Sequence, residues 1–372
     1  MNKHKILMTA SVWPHIRNFH LPYLEAFQKL GWETHVGCAG IPAEAQHVDN
    51  TIEIPFRKKL FTLANFRALF ILRRLIRRER FDLIITHTTL AAFFTRLAVK
   101  WICHRPKVIN VMHGYLFDDD TPVVKRNLLL AAERLTAPQT DLLLVMNRWD
   151  YDTARKYRLG RRIEEIPGMG VDFFRLDTAA KEDGGHLRKA LGIPSDAFVL
   201  LCAAEFSARK SQRVLIEAMT TLPQRTVLVL CGAGSTLEEC RALARELGVS
   251  ERVLFPGQVC DMPTWYRMAD ACVAASRSEG LPFNVIEAMH TGLPVVASAV
   301  KGHVDLIQDG VNGLLYPYGD AKAFAAAIHR LMIDDALRTD TGRRACQDSE
   351  RYALDNVLPI VMNDYDSVLY RH

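Results

Sequence analysis

Short apolar runs alternate with helix-patterned stretches along the whole chain, and that alternation limits the folds open to it. In the first half, Lys5–Ala10, Glu33–Cys38, Asp82–Thr86, Val108–Met112 and Asp141–Met146 read as strands. Leu21–Leu30, Asn65–Arg80 and Lys125–Thr136 carry a helical period between them. The second half repeats the scheme with strands at Phe198–Ala203, Thr226–Cys231, Val253–Phe255, Ala271–Ala275, Pro294–Ala297 and Gly313–Tyr316. Its helices are Gln212–Met219, Leu237–Leu247, Met262–Met268, Asn284–His290 and Ala321–Met332. Strands this apolar are buried on both faces, which predicts parallel sheets covered by helices on each side. A chain of 372 residues supports two such doubly wound α/β domains. Gly168, Gly170, Gly184, Gly185 and Pro194 mark a turn-rich seam from Gly168 to Ser195, read as the linker. Sheets of this kind bind ligands beyond the carboxyl ends of their strands, so the cleft between the halves is the expected site.

Several function classes drop out. No run approaches the ~18 apolar residues of a membrane helix. Ile6-Leu7-Met8 is too short for the apolar core of an export signal, so a cytoplasmic location is expected. The eight cysteines contain no C-x-x-C pair, which argues against zinc and dithiol redox motifs and fits reduced thiols. Charge is uneven. Residues 1–172 hold 26 Lys and Arg against 17 Asp and Glu, a net +9, whereas residues 173–372 hold 21 against 25, a net −4. The first half therefore suits an anionic partner; on charge alone nucleic acid and anionic lipid both qualify, as does an ordinary solvated surface.

The strongest chemical signal runs from Ser276 to Met289: Ser-Arg-Ser-Glu-Gly-Leu-Pro-Phe-Asn-Val-Ile-Glu-Ala-Met. It follows a strand and opens a helix. Glu279 falls on the loop and Glu287 about one turn into the helix. The backbone of Gly280, Leu281, Pro282, Phe283 and Asn284 forms a helix start suited to hydroxyl or phosphate oxygens. The plainer alternative is acids favouring a first helical turn. Gly292-Leu293-Pro294-Val295-Val296-Ala297-Ser298, Gly302 and Asp309-Gly310-Val311-Asn312-Gly313-Leu314-Leu315 extend the block.

Taken together, these residues resemble the donor-binding block of retaining glycosyltransferases of family 4, whose fold, called GT-B, has two Rossmann-like domains facing across a cleft. Ala204-Glu205-Phe206-Ser207-Ala208-Arg209-Lys210 resembles the strand–loop–helix in which that family holds the donor diphosphate, with Lys210 as the match. Many members carry an Arg where this chain has Glu205, which makes Arg209 a candidate substitute; a solvated loop charge is the alternative. Leu254–Val259 with Trp265-Tyr266 is similar to the segment bordering the nucleotide base, where Gln258 and Val259 enter through their main chain. Gly232-Ala233-Gly234 lacks the acid of a dinucleotide site and reads as a tight turn. In the first half, His113-Gly114 after Val108–Met112 looks like the family's "HG", with the His near the donor sugar. His87, His15 and His20 lie near strand or helix ends, but His113 ranks above them. Ala132–Arg134, Thr140-Asp141, Met146–Asp150 and Ile166–Asp172 are similar to a narrower group, bacterial capsule, exopolysaccharide and lipid-linked oligosaccharide transferases.

The resemblance implies transfer of a hexose or N-acetylhexosamine from a UDP-sugar, with retention, to a polyprenyl-diphosphate-linked saccharide. Residues 1–170 would bind acceptor, 171–352 would bind nucleotide sugar, and a helix over 353–372 would pack back on the first domain. Lys210 and Arg209 would hold the diphosphate, Glu279 and Gly280–Asn284 the sugar, Glu287 the ribose, and His113 would act on the sugar. No metal or other cofactor is expected, since the cations serve instead and no Asp-x-Asp triplet is present; Asp118-Asp119-Asp120 reads as a mobile acceptor-side loop. The stretch Arg57–Arg80 holds nine cations, Arg57, Lys58, Lys59, Arg67, Arg73, Arg74, Arg77, Arg78 and Arg80, with Glu79 the sole acid. Leu63, Phe66, Phe70, Ile71 and Leu75 give it an apolar side, so peripheral docking on anionic lipid is expected, and nucleic acid is not. A UDP-sugar epimerase of the same fold, or a non-catalytic partner binding sugar nucleotide or carrier lipid, are the alternatives.

Overall fold

The structure, a computed structural model, describes residues 3–57, 62–178 and 184–370. The chain divides into two compact units, one of Met1–Gly170 with Asp355–His372 and one of Val171–Leu354.

The first unit is built on seven parallel strands: β1 (Lys5–Val12), β2 (Glu33–Ala39), β3 (Asn50–Glu53), β4 (Leu83–His87), β5 (Lys107–Met112), β6 (Leu142–Val145) and β7 (Arg162–Glu165). Their spatial order is β3-β2-β1-β4-β5-β6-β7. The chain winds outward from β1 to one edge, returns to β4 and winds to the other. The switch point therefore lies between β1 and β4, where crossovers part and leave a crevice at the carboxyl edge. Every residue of β4 and β6 is buried, the price of helices on both faces. The sequence reading misses β3 and β7. Both are edge strands with mostly exposed or half-buried polar residues, so pairing depends on backbone hydrogen bonds and no apolar run announces it. The helix Leu354–Tyr370 belongs to this unit from Asp355 on. Its Tyr365 is fully buried, with ring centroids 6.0 Å from Tyr23 and 6.1 Å from Phe27.

The second unit has six parallel strands: β8 (Phe198–Ala203), β9 (Thr226–Cys231), β10 (Val253–Gly257), β11 (Ala271–Ala274), β12 (Val295–Ser298) and β13 (Leu314–Tyr316). Their order is β10-β9-β8-β11-β12-β13, with the switch point between β8 and β11. One core joins Leu200, Val214, Leu228, Val273, Val296, Phe324 and Ile328. The Asp309–Leu315 turn is held by its own side chains. Asp309 Oδ1 accepts from Leu315 N at 2.8 Å, and Asn312 accepts from Gln308 N at 2.8 Å while donating to Asp348 at 2.7 Å.

The seam is not a bare linker. It contains the helices Phe173–Thr178 and Gly184–Ala190, and Arg188 donates to Met268 O at 2.7 Å and pairs with Asp270 at 2.9 Å. Its glycines suit close packing: a Cβ on Gly184 would lie 2.7 Å from the Arg267 carbonyl. Residues 179–183 of the seam lie outside the described residues, as do Lys58 and Lys59. No helix among the described residues is long and apolar enough to cross a membrane. All eight cysteines are unpaired.

Candidate functional site

At the switch point of the second unit, the loops after β8 and β11 meet on one carboxylate. Lys210 Nζ donates to Glu279 Oε1 at 2.6 Å, and Arg209 donates to Glu279 Oε2 at 2.7 Å and to Ser278 O at 3.0 Å. Arg277 N donates to Arg209 O at 2.7 Å, which fastens the two loops together through the main chain. Glu279 is 7 % exposed, and burial alone would favour its neutral form; Lys210, Arg209 and His303 outweigh that and hold its pKa at about 2. The carboxylate is thus ionised, with two cations on it. A third loop closes over it after β12. Gly302 there has φ +84°, and a Cβ would stand 2.7 Å from Glu279 Cβ, so only glycine lets this loop approach.

Glu287 is the fifth residue of the helix Phe283–His290 and is half-buried. Tyr266 Oη donates to Glu287 Oε2 at 2.8 Å, with Asn284 O also 3.1 Å away. Burial raises the Glu287 pKa, opposed by that hydrogen bond and by Arg175. Asn284 Nδ2 donates to Ala203 O at 3.0 Å, tying the helix start to the end of β8. Pro282 carries no N–H, so it shapes the chain entering the helix instead of donating to a ligand, and Gly280, Leu281 and Pro282 precede the helix. Gln258 is exposed and Val259 half-buried, just past β10.

Gly232 has a packing role: with φ +140°, a Cβ would meet Ala204 O at 2.0 Å. Glu205, in place of the family Arg, is exposed and points no cation at the site. The sequence reading misses His303. It is fully buried with Nδ1 2.9 Å from Ser298 O, while its Nε2 has no partner. Buried Ser207 Oγ also lacks a partner. Unpaired buried polar atoms in the loops after β8 and β12 are what a polar ligand would satisfy. The signal for His303 was its place just past a strand, beside Gly302.

In the first unit, the structure does not single out His113. Its Nε2 lies 3.3 Å from His15 Nε2 and 3.3 Å from His87 Nδ1, and the His20 and His87 rings stack at 3.6 Å. His87 ends β4, His113 follows β5, His15 lies in the helix Trp13–Phe19 after β1, and His20 sits between that helix and Leu21–Lys29. The residues carrying the narrower resemblance are largely structural. Glu133 forms a buried ion pair with Arg96 at 2.8 Å, and Asn147 caps the helix Arg148–Tyr157 through Asp150 N at 2.8 Å. Asp118 and Asp119 are not loose: Thr121 Oγ1 donates to Asp118 at 2.6 Å and Trp149 Nε1 to Asp119 at 2.9 Å.

The basic helix Leu63–Glu79 splits its apolar side. Ala68, Leu72, Leu75 and Ile76 are buried in the unit's core, while Leu63, Phe66 and Phe70 are exposed. Arg67, Arg74, Arg77 and Arg78 are exposed, but Arg73 is half-buried and donates to Lys100 O at 3.1 Å. A second surface escaped the sequence reading. On the helix Val123–Thr136, Val123, Val124, Leu128 and Leu135 are exposed, together with Leu116. Beside them Leu90, Phe93, Phe117 and Leu129 line a cavity of about 190 Å³.

Two units, each a doubly wound parallel sheet of seven and six strands, are the architecture of the GT-B class of glycosyltransferases. Comparison with known proteins agrees. The family model "Glycosyltransferase Family 4" matches residues 23–172, and "Glycosyl transferases group 1" matches 185–348. A relative from Bacillus subtilis (strain 168), EpsD, is 33% identical over 94% of this chain and 93% of its own length. The Escherichia coli UDP-Gal:alpha-D-GlcNAc-diphosphoundecaprenol alpha-1,3-galactosyltransferase is 24% identical over 75% of this chain and 74% of its own. Among solved structures, Anabaena HepE in complex with UDP and glucose superposes with a TM-score of 0.82 at 21% identity, over 98% of this chain and 100% of that one. WaaG, a glycosyltransferase involved in lipopolysaccharide biosynthesis, gives 0.77 at 16% identity, over 99% and 100%. This chain belongs to the family 4 glycosyltransferases, and it is a transferase of the GT-B fold.

Proposed function

We propose that the protein moves a sugar, with retention, from a UDP-sugar to a polyprenyl-diphosphate-linked saccharide at a membrane surface. The observation that carries the reading is Glu279, buried and ionised between Lys210 and Arg209 at the β8/β11 switch point. A carboxylate with two cations leaves a net positive pocket. A donor diphosphate takes up Lys210 and Arg209, whose charge also eases departure of the nucleotide. Glu279 is then released to accept hydrogen bonds from sugar hydroxyls, beside the backbone of Gly280–Asn284. Glu287, held by Tyr266, meets the ribose, and main-chain groups of Gln258 and Val259 border the base. Val171–Leu354 thus binds the nucleotide sugar, and the unit of Met1–Gly170 the acceptor.

The choice of UDP is supported by a fold neighbour solved with UDP and glucose, and that of acceptor by a relative whose name specifies a diphosphoundecaprenol-linked sugar. A peripheral membrane position is supported by the exposed Arg67, Arg74, Arg77 and Arg78 and by the exposed apolar residues of Val123–Thr136. Calorimetry with UDP, GDP and ADP tests the donor reading. Tight binding of UDP alone supports it, and equal indifference to all three contradicts it.

A further inference from the structure

The first unit holds a cavity of about 860 Å³ at the amino edge of its sheet, the end away from His113. It opens where β1, β2, β4 and β5 begin. Arg77 and Arg80 at the end of the helix Leu63–Glu79 line it, as do the loop 101–106 and Lys107 at the start of β5. We propose that this cavity binds a soluble phosphorylated ligand of the nucleotide class, at a site separate from the donor pocket.

The volume falls within the roughly 300–1,000 Å³ of small-molecule sites. Its lining carries more positive charge than its own acids answer. Arg77, Arg80, Arg105 and Lys107 stand against a single lining acid, Asp82. Asp82 is already engaged: it accepts from Lys5 N at 2.8 Å and lies 3.2 Å from His4 Nδ1. Arg105 is committed to Asp141 at 2.6 and 2.8 Å. Arg77, Arg80 and Lys107 are left, and none of the three pairs with an acid among the described residues. On a convex surface such charges are simply solvated. Around a concavity floored by buried Trp32, Phe81 and Ile76 they add to one field that draws an anion. Two arginines in that set favour phosphate.

Trp101 supplies the other half of the recognition. Its ring is 74% exposed at the cavity, with Lys100 Nζ 4.7 Å from the ring centroid. A flat base stacks on such a ring and brings its phosphates among the cations. The backbone is bent to make this place. Arg80, Trp101 and His104 have φ of 52°, 62° and 51°, three of the seven non-glycine residues in the left-handed region among those described. That conformation is uncommon for large side chains and gathers where ligands are clamped. The cavity is at the far end of the strands from His113, so its occupant is an effector and not a substrate. Glu279 and Lys210 take no part, so this site and the donor reading can fail independently.

Two exposed thiols report the two sites separately: Cys103 lines this cavity, and Cys260 follows Val259 in the second unit. Full-length protein saturated with UDP is alkylated with iodoacetamide in the presence of ADP, GDP, inorganic diphosphate or dihexanoyl phosphatidylglycerol. Each thiol is followed by peptide mass spectrometry. ADP or GDP should slow Cys103 alkylation at least ~tenfold, with half-protection near about 100 μM, and leave Cys260 at its rate in UDP alone. Inorganic diphosphate should protect Cys103 less well. Arg80→Gln combined with Lys107→Gln should raise the half-protecting concentration at least ~tenfold. Trp101→Ala should erase the advantage of the nucleotides over inorganic diphosphate. All three side chains are exposed, so their loss removes no core packing. Protection of Cys103 by UDP itself, lost in the double variant, supports the site equally. Cys103 alkylation indifferent to every nucleotide, protection by the lipid alone, or protection unchanged in both variants overturns it.

Discussion

Lys210 Nζ and Glu279 Oε1 are 2.6 Å apart although 69 residues separate them in the chain. The contact joins the loops after β8 and β11 across the point where the second sheet changes winding direction. With Arg209 on the other carboxylate oxygen, the trio carries one surplus positive charge in a largely buried place. A diphosphate is attracted to that surplus, and the trio's internal pairing keeps the cations in position until it arrives.

Replacing Lys210 by Ala should weaken UDP binding by roughly ten- to hundredfold, the loss of ~1.5–3 kcal/mol of charged hydrogen bonding. Arg209→Ala should cost less, because its side chain is 48% exposed and better screened. Calorimetry on both variants checks the ranking. A larger loss in Arg209→Ala than in Lys210→Ala contradicts it.

Glu279 and Glu287 should separate by ligand. Glu287→Ala removes the group expected to clamp the ribose and should weaken free UDP. Glu279→Ala should spare UDP while damaging binding or transfer of the sugar. Equal losses of UDP affinity in the two variants would be inconsistent with the division.

Acid stability should report the Glu279 cluster. Its folded pKa of about 2 lies below the ordinary 4.5, so ionised Glu279 stabilises the fold above about pH 4.5. That contribution is lost as pH falls towards 2. The shift corresponds to on the order of 3 kcal/mol. Urea midpoints for the wild type and Glu279→Gln should therefore converge as pH drops from 6 towards 3. Parallel curves would mean the carboxylate adds nothing to stability.

The sequence disclosed the sheets where strands are apolar on both faces, and it failed at Asn50–Glu53 and Arg162–Glu165, whose polar residues sit at sheet edges and need only backbone partners. Glu279, Glu287 and Lys210 stand out as candidates in the sequence because they fall in recognisable strand–loop–helix blocks. The contact between Lys210 and Glu279 was not legible, since nothing in residue order says that two loops 69 residues apart meet. The histidine cluster shows the same limit more sharply. His113 stood out by its position after a strand and its resemblance to the family's "HG", but His15, His20 and His87 reach it only because β1, β4 and β5 lie side by side. Glu133, Asn147 and Asp150 illustrate the converse: recognisable residues that turn out to be an ion pair and a helix cap.

Membrane docking should need Arg74, Arg77 and Arg78, which face solvent, but not Arg73, whose guanidinium is spent on Lys100 O. The triple change of those three to Gln should reduce co-sedimentation with anionic liposomes at low salt while UDP affinity stays intact. High salt should weaken wild-type binding as well, since the Debye length falls from ~10 Å at 0.1 M to ~3 Å at 1 M. Indifference of the wild type to anionic liposomes at low salt would leave these arginines as solvated helix charge.

The most direct test of the account is transfer itself. Purified wild type and Glu279→Gln are offered a panel of UDP-sugars with and without a polyprenyl-diphosphate-linked saccharide, and released UDP and the lengthened lipid-linked product are measured together. The account predicts acceptor-dependent UDP release from a restricted set of donors, a product with the donor's anomeric configuration, and a large loss of turnover in Glu279→Gln. UDP release that ignores the acceptor, or full turnover in Glu279→Gln, would contradict it.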